Sequence, residues 1–223
     1  MTYHHVSKSC PLTQAATPTF TASVVFSRPR RRNLAPWILA ALFSGCTAKA
    51  LLQPRDVQLF IDVSESARNL PGYNETVEQA CQRTVSHAEF GGQVQVYLFA
   101  DAVELVHRSK PQNIMAQRQI CTELPDSIQL RQIGIERGTS LPLVLTAVGS
   151  TLNEAHRSTV TILLDRNESG GGTETVVPML NELLPQSDSL TLMVNDYTLQ
   201  QELDQAINHP AFNTCPFKAQ RGC

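Results

Sequence analysis

Short apolar runs alternate with amphipathic segments along the chain from residue 56 to residue 207. The apolar runs are rich in β-branched and aromatic residues, which is typical of strands, and they lie at residues 57–63, 94–100, 103–107, 160–164 and 190–194. Between them, apolar residues recur every three or four positions, which indicates helices, at residues 74–89, 113–121, 141–152, 175–184 and 198–207. The alternation predicts an α/β domain with a doubly wound, mostly parallel sheet and helices on both faces. The close pair of runs at 94–107 predicts a hairpin and one antiparallel edge strand.

The first 45 residues differ in charge from the rest of the chain. They hold five basic and no acidic side chains, whereas the remaining residues hold 13 basic and 20 acidic side chains. Because phosphate binding depends on clustered lysine and arginine, the acidic body argues against nucleic acid as a partner. We divide the chain into a lead and signal segment at 1–45, a linker at 46–55, a domain at 56–207 and a cysteine-containing tail at 208–223.

The amino-terminal segment has the order of a secretory signal. Basic residues at 28–32 precede an apolar run at 34–43, and small residues follow. Residues 43–46 resemble the lipobox of bacterial lipoproteins, which implies cleavage before Cys46 and a diacylglycerol group on its sulfur. Two alternatives stay open: cleavage after residue 50 by an ordinary signal peptidase, or an uncleaved anchor at 34–52. All three predict an extracytoplasmic body, either secreted or held at a membrane by a lipid or signal anchor.

Five side chains with oxygen donors stand at the predicted ends of strands or just before a helix. They are Asp62, Ser64, Ser66, Thr139 and Asp165. Because a crevice lies beyond the carboxyl ends of parallel strands, we expect Asp62 and Asp165 to lie close together. Carboxylate and hydroxyl oxygens suit Mg²⁺, Mn²⁺ or Ca²⁺. Each residue taken singly also suits a helix cap or a turn.

The same residues carry a resemblance to von Willebrand factor type A (VWA) domains, which extends from about residue 56 to residue 207. The stretch 62–66 matches the D-x-S-x-S motif of that family, Thr139 matches its isolated threonine, and Asp165 matches its second aspartate. One departure is visible, because Arg166 stands where the family usually has glycine. Arginine brings a competing cation to this position and lacks the backbone freedom of glycine.

The resemblance implies a metal-ion-dependent adhesion site built from those five residues. The expected cofactor is a divalent cation, Mg²⁺ first, with Mn²⁺ or Ca²⁺ as alternatives. One coordination position stays open for a protein partner. An acidic side chain is expected there because a divalent cation facing hydroxyls and only two carboxylates retains positive character. We expect Asp62 to lie at the rim of the domain, so that its replacement leaves the fold intact.

We interpret the chain as an adhesion or scaffold module of a bacterial envelope and not as an enzyme. One alternative is the same fold without metal, serving as a scaffold in an envelope assembly. A second is a secreted hydrolase, although Ser64 lacks a G-x-S-x-G elbow and has no nearby histidine in the sequence. A histidine within hydrogen-bond reach of Ser64 or Ser66 would favour that hydrolase.

Cysteine pairing follows from the predicted compartment. An oxidising environment permits disulfides, and we predict one between Cys215 and Cys223 in the tail. Cys81 lies on the apolar stripe of its helix, so it is either a buried thiol or the partner of Cys121.

Overall fold

The computed structural model describes residues 55–88, 92–111, 113–129, 139–152, 157–166 and 171–217. The strands are β1 (Arg55–Asp62), β2 (Val94–Phe99), β3 (Val103–Ser109), β4 (Arg157–Leu164), β5 (Ser189–Val194) and β6 (Phe212–Pro216). The α-helices are α1 (Glu65–Arg68), α2 (Tyr73–Val85), α3 (Ile114–Gln129), α4 (Leu141–Thr151), α5 (Thr173–Leu183) and α6 (Tyr197–Ala206). A 3₁₀ turn at Leu184–Gln186 follows α5.

The strands form one six-stranded sheet in the order β3-β2-β1-β4-β5-β6. The β2–β3 pair is antiparallel and every other neighbouring pair is parallel. This confirms the predicted α/β architecture, including the hairpin and its antiparallel edge strand.

Both faces of the sheet are covered by helices because the central strand is apolar on both sides. Leu59 and Ile61 pack in the core under α2 and α3, whereas Phe60 packs in the core under α4, α5 and α6. All three side chains are fully buried, and each such burial contributes roughly 1.5–3 kcal/mol. The carboxyl end of β1 is therefore held firmly between two layers of helices.

A disulfide joins the two helices on the first of these faces. Cys81 of α2 is bonded to Cys121 of α3 with a Cα–Cα distance of 5.4 Å, so Cys81 is not a free thiol. Cys215 is also disulfide-bonded. Cys223 lies outside the described residues, and the Cys215–Cys223 bridge stays a prediction.

The sheet contains one strand that the sequence analysis did not predict. β6 lies within residues 208–223, the predicted tail, and it pairs in parallel with β5 from Leu190↔Phe212 to Val194↔Pro216. It is only five residues long and contains asparagine and proline, which are depleted in strands, so its local pattern is weak.

The membrane-related predictions fall on the amino-terminal segment. Cys46 and the apolar run at 34–52 lie outside the described residues. Within the part of the chain that the structure describes, no helix is long and apolar enough to cross a membrane.

Candidate metal centre

The candidate site lies where the chain reverses its direction of winding across the sheet. β1 has β2 on one side and β4 on the other, so the connection from β1 and the later return to β4 run to opposite sides. In an open parallel sheet such a switch point leaves a crevice at the carboxyl ends of the two strands. Asp62 is the last residue of β1, and Asp165 directly follows β4.

The Asp62 carboxylate is the centre of the hydrogen-bond network in this crevice. Its Oδ1 accepts a bond from the backbone N–H of Ser64 at 2.9 Å, and its Oδ2 accepts one from the backbone N–H of Asp165 at 3.1 Å. The Thr139 hydroxyl lies 3.2 Å from both oxygens. Three loops that are distant in sequence therefore meet at one carboxylate.

Asp62 is buried, which corrects the expectation that it lies at the rim. Its relative exposure is 0%, because α4 brings Thr139 over it from one side and the turn after β4 closes the other. Burial raises the pKa of Asp62, and hydrogen bonds from Ser64, Asp165 and Thr139 partly oppose that shift. No basic side chain within the described residues forms an ion pair with it. A nearby positive charge would lower the cost of keeping a carboxylate ionised at this depth.

The two serines of the motif lie side by side. The Ser64 and Ser66 hydroxyl oxygens are 3.2 Å apart. Ser64 is buried and Ser66 is half-buried. The Ser64 hydroxyl also accepts a bond from the backbone N–H of Ala67 at 3.4 Å, so it caps α1. Ser64 therefore does cap the helix, as the second interpretation predicts. Because a hydroxyl oxygen has two lone pairs, the same oxygen can also bind a metal ion.

Thr139 is placed by the start of α4. The Ser140 hydroxyl accepts a bond from the backbone N–H of Leu143 at 3.4 Å, which caps the helix. Leu141 is fully buried in the core, so the first turn of α4 is anchored on both counts. Thr139 stands directly before this turn and is 1% exposed, with its hydroxyl directed at Asp62.

Asp165 borders an open cleft with its carboxylate held at one oxygen. Oδ1 accepts a bond from Asn195 Nδ2 at 2.9 Å, and Oδ2 lies 3.9 Å from Nε of Arg166. The cleft has a volume of about 470 Å³. Its lining residues are Ser66, Leu70, Asp165, Arg166, Asn195 and Asp196. Ser66 and Asp165 therefore face one space, beside the network centred on Asp62.

Two side chains that the sequence analysis missed fix the backbone of the motif. The Tyr73 hydroxyl donates to the backbone carbonyl of Asp62 at 2.6 Å, and Nε of Arg68 donates to the carbonyl of Val63 at 2.7 Å. Burial raises the pKa of Tyr73, with the Asp62 charge adding to the shift, so the hydroxyl stays a donor. No local pattern marks either residue, since both act on carbonyls that become neighbours only in the folded loop.

The donor set fits a hard divalent cation. In the described part of the chain, no group of three or more histidine, cysteine, aspartate or glutamate side chains could hold a metal ion. A cation here would depend on hydroxyls together with the two carboxylates, and oxygen-only ligation suits Mg²⁺, Mn²⁺ or Ca²⁺ and disfavours zinc or copper. The buried Asp62 carboxylate has no basic partner among the described residues, and this is the feature that such an ion would compensate.

None of the hydrogen bonds in the described part of the chain joins a histidine to Ser64 or Ser66, which the hydrolase alternative would require. Among the hydrogen bonds of the described residues, His107 bonds to Ser109 and His209 bonds to Ala211. The Ser64 and Ser66 hydroxyls bond to each other, and the Ser64 hydroxyl also accepts a bond from the backbone N–H of Ala67. His156 lies outside the described residues.

Comparison with known proteins gives similarity at the level of the fold. No protein-family model and no curated protein matches the sequence. Among solved structures, the VWA domain of SpRpn10 is similar at a TM-score of 0.52 and 10% identity, over 76% of this chain and 91% of that one. Proximal thread matrix protein 1 from the mussel byssus is similar at 0.51 and 14% identity, over 73% of this chain and 43% of that one.

A von Willebrand factor type A protein from Catenulispora acidiphila is similar at a TM-score of 0.50 and 12% identity, over 71% of this chain and 39% of that one. The matched region thus spans less than half the length of the mussel and Catenulispora proteins. These likenesses agree with the observed strand order and with the helices on both faces. The chain has the fold of von Willebrand factor type A domains.

Proposed function

We propose that this protein is an extracytoplasmic interaction module that binds a protein partner through a divalent cation. Five residues would hold the ion at the carboxyl edge of the sheet, namely Asp62, Ser64, Ser66, Thr139 and Asp165. The observation that carries the proposal is the convergence of three loops on the Asp62 carboxylate beside an open cleft.

The arrangement divides the site into a closed part and an open part. Asp62, Ser64 and Thr139 are each no more than 3% exposed, and they would form the floor. Ser66 and Asp165 border the cleft, from which a partner could reach the ion. A divalent cation supplies the charge that the buried carboxylate lacks, and it polarises any oxygen donor that arrives from outside.

The partner is expected to present an acidic side chain. The two carboxylates formally balance the charge of a divalent ion, but its other ligands are neutral hydroxyls and water. The metal therefore keeps positive character, and a charged oxygen replaces its water more favourably than a neutral one. Leu70 gives the cleft wall an apolar contact, and Asn195 and Asp196 give it polar groups. This mixture is typical of an interaction surface in which a few polar groups fix the register.

The Cys81–Cys121 disulfide supports a location outside the cytoplasm. Structural disulfides persist in oxidising compartments and are rare in the cytosol, and this one joins two helices of the core. We further propose that Cys46 carries the lipid anchor. Fractionation of cells that express the wild type and Cys46→Ala tests this, and unchanged membrane association in the variant would contradict it.

One observation favours the metal-free scaffold as a second candidate. Protein donors already contact both oxygens of Asp62, and Asn195 already holds Asp165. Because these carboxylates already accept hydrogen bonds from the protein, the site could serve only to hold three loops together without an ion. The two candidates differ in one property, which is whether divalent ions bind the folded protein.

Titration calorimetry with Mg²⁺ and Mn²⁺ distinguishes them. The variant is Ser66→Ala, which removes a half-buried hydroxyl at the cleft, and the control is Ser150→Ala, whose hydroxyl bonds only within α4. We expect the wild type and the control to bind one ion equally and Ser66→Ala to bind at least about tenfold more weakly. At an ion concentration of about 100 times Kd, binding should also stabilise the wild type by about 2.7 kcal/mol. If the wild type showed no binding heat and its melting temperature did not change on addition of either ion, the metal-free scaffold would be the supported function.

A further inference from the structure

Among the described residues that line the cleft, Arg166 is the one whose charge has the same sign as the expected cation and would repel it. The cleft wall contains Arg166 together with Asp165 and Asp196. Its side chain is 57% exposed, whereas that of Asp165 is 6% exposed. The guanidinium therefore stands at the mouth of the cleft and the carboxylate at its base.

The two oxygens of Asp165 have different surroundings. Asn195 Nδ2 donates to Oδ1 at 2.9 Å and fixes the plane of the carboxylate. Oδ2 faces Arg166, whose Nε is 3.9 Å away. Oδ2 receives no hydrogen bond from Asn195, so it is the more accessible oxygen of this carboxylate for a cation, and it is also the oxygen that Arg166 approaches.

We propose that Arg166 determines the specificity of this site by opposing cation binding in the free protein and by binding the carboxylate of the partner. This inference rests on the proposed function. It names Arg166 as the residue that favours an acidic side chain over a water molecule at the open coordination position. A cation bound to Oδ2 would lie within about 6 Å of Nε, given a typical Mg–O distance of ~2.1 Å and the observed separation of 3.9 Å. This is shorter than the Debye length of about 8 Å at physiological salt, so the repulsion is only partly screened.

Because the Arg166 side chain is 57% exposed, its guanidinium is within reach of a partner that enters the mouth of the cleft. There it can donate two parallel hydrogen bonds to a carboxylate, which is the geometry that arginine favours over lysine. A partner carboxylate would then meet the ion and Arg166 together, whereas a water molecule would gain nothing from Arg166. Cation affinity is lowered in the absence of the partner, and acid binding is strengthened in the presence of the ion.

The inference predicts effects of opposite sign in one variant. Arg166→Gln removes the charge but keeps a polar side chain of similar reach. Its affinity for Mg²⁺, measured by calorimetry, should rise by about threefold to tenfold. Its affinity for acetate in the Mn²⁺-loaded protein, measured by water-proton relaxation, should fall by about threefold or more.

Two further variants separate charge from geometry. Arg166→Lys keeps the charge and lacks the planar fork, so it should keep the low Mg²⁺ affinity of the wild type and still bind acetate less tightly. Arg118→Gln removes the same charge from α3, which contributes no residue to the cleft, and both affinities should stay at wild-type values.

The outcomes distinguish this inference from the proposed function. Equal Mg²⁺ affinity in the wild type and Arg166→Gln would overturn the inference and leave the metal site intact. Acetate binding that is unchanged or tighter in Arg166→Gln would overturn it as well. If neither the wild type nor any of the variants bound Mg²⁺ or Mn²⁺, both the proposed function and this inference would be wrong.

Discussion

Replacing Asp62 with alanine should destabilise the metal-free protein, even though Asp62 stands at the end of a strand. The substitution removes the acceptor for three donors, which are the backbone N–H groups of Ser64 and Asp165 and the hydroxyl of Thr139. Since Asp62 is 0% exposed, bulk water does not reach these donors without local opening of the loops.

The expected loss follows from the three bonds and one opposing effect. A typical hydrogen bond contributes about 0.5–1.5 kcal/mol net, so three contribute about 3 kcal/mol. Burial raises the pKa of Asp62, which shows that the ionised carboxylate itself costs stability at neutral pH and offsets part of this gain. We expect the free energy of unfolding to fall by about 1–3 kcal/mol. For a protein of this size the melting temperature should fall by roughly 2–12 °C.

Urea denaturation followed by circular dichroism at pH 7 with a chelator measures this loss. Asp101→Ala is the matched control, because Asp101 follows the neighbouring parallel strand β2 but is exposed. The control should stay within about 0.5 kcal/mol of the wild type. If Asp62→Ala were equally harmless, the inference that Asp62 organises the three loops would be wrong.

Three further predictions follow from other contacts. Tyr73→Phe removes the donor to the Asp62 carbonyl and should cost about 1 kcal/mol in urea denaturation as well as weaken Mg²⁺ binding in calorimetry; unchanged values in both would contradict its positioning role. Replacing Cys81 and Cys121 with serine removes a disulfide that spans a sequence separation of 40. On the chain-entropy model the free energy of unfolding should fall by about 4 kcal/mol. A fall of less than about 1 kcal/mol in urea denaturation would refute that account. Burial lowers the pKa of His107, so the folded protein binds fewer protons there than the unfolded chain. The resulting stability is present above the ordinary histidine pKa of about 6.5 and is lost as the pH falls through the lowered value. Denaturation at pH 7.5 and pH 5 should therefore show a smaller acid loss for His107→Gln than for the wild type, and an equal loss would rule this out.

The sequence was sufficient to predict the fold because its periodicities are strong and mutually consistent. Runs such as 94–100 and 103–107 with two residues between them leave little choice but a hairpin, and the helical segments between the other runs require crossovers. The parallel sheet then brings Asp62 and Asp165 to one crevice without any knowledge of side-chain packing. Thr139 was found by its resemblance to a motif and not by periodicity.

Features that depend on the folded loops could not be predicted. The burial of Asp62 results from the packing of α4 and the turn after β4, and single-residue patterns carry no information on how closely these elements approach. Asn195 orients Asp165 across a separation of 30 residues. Tyr73 reaches back to Asp62 across 11 residues, and β6 is too short and too polar for its pairing to show in the sequence.

The most direct test of the metal centre is anomalous scattering from crystals grown with Mn²⁺. We expect one peak at the carboxyl edge of the sheet, within about 2.0–2.6 Å of the hydroxyl oxygens of Ser64 and Ser66 and beside Asp62. Crystals of Ser66→Ala, grown in parallel, should show a weaker peak at the same place. A full data set from Mn²⁺-containing crystals without a peak in this crevice, or with the peak held by other side chains, would contradict the proposal that these five residues bind a divalent cation.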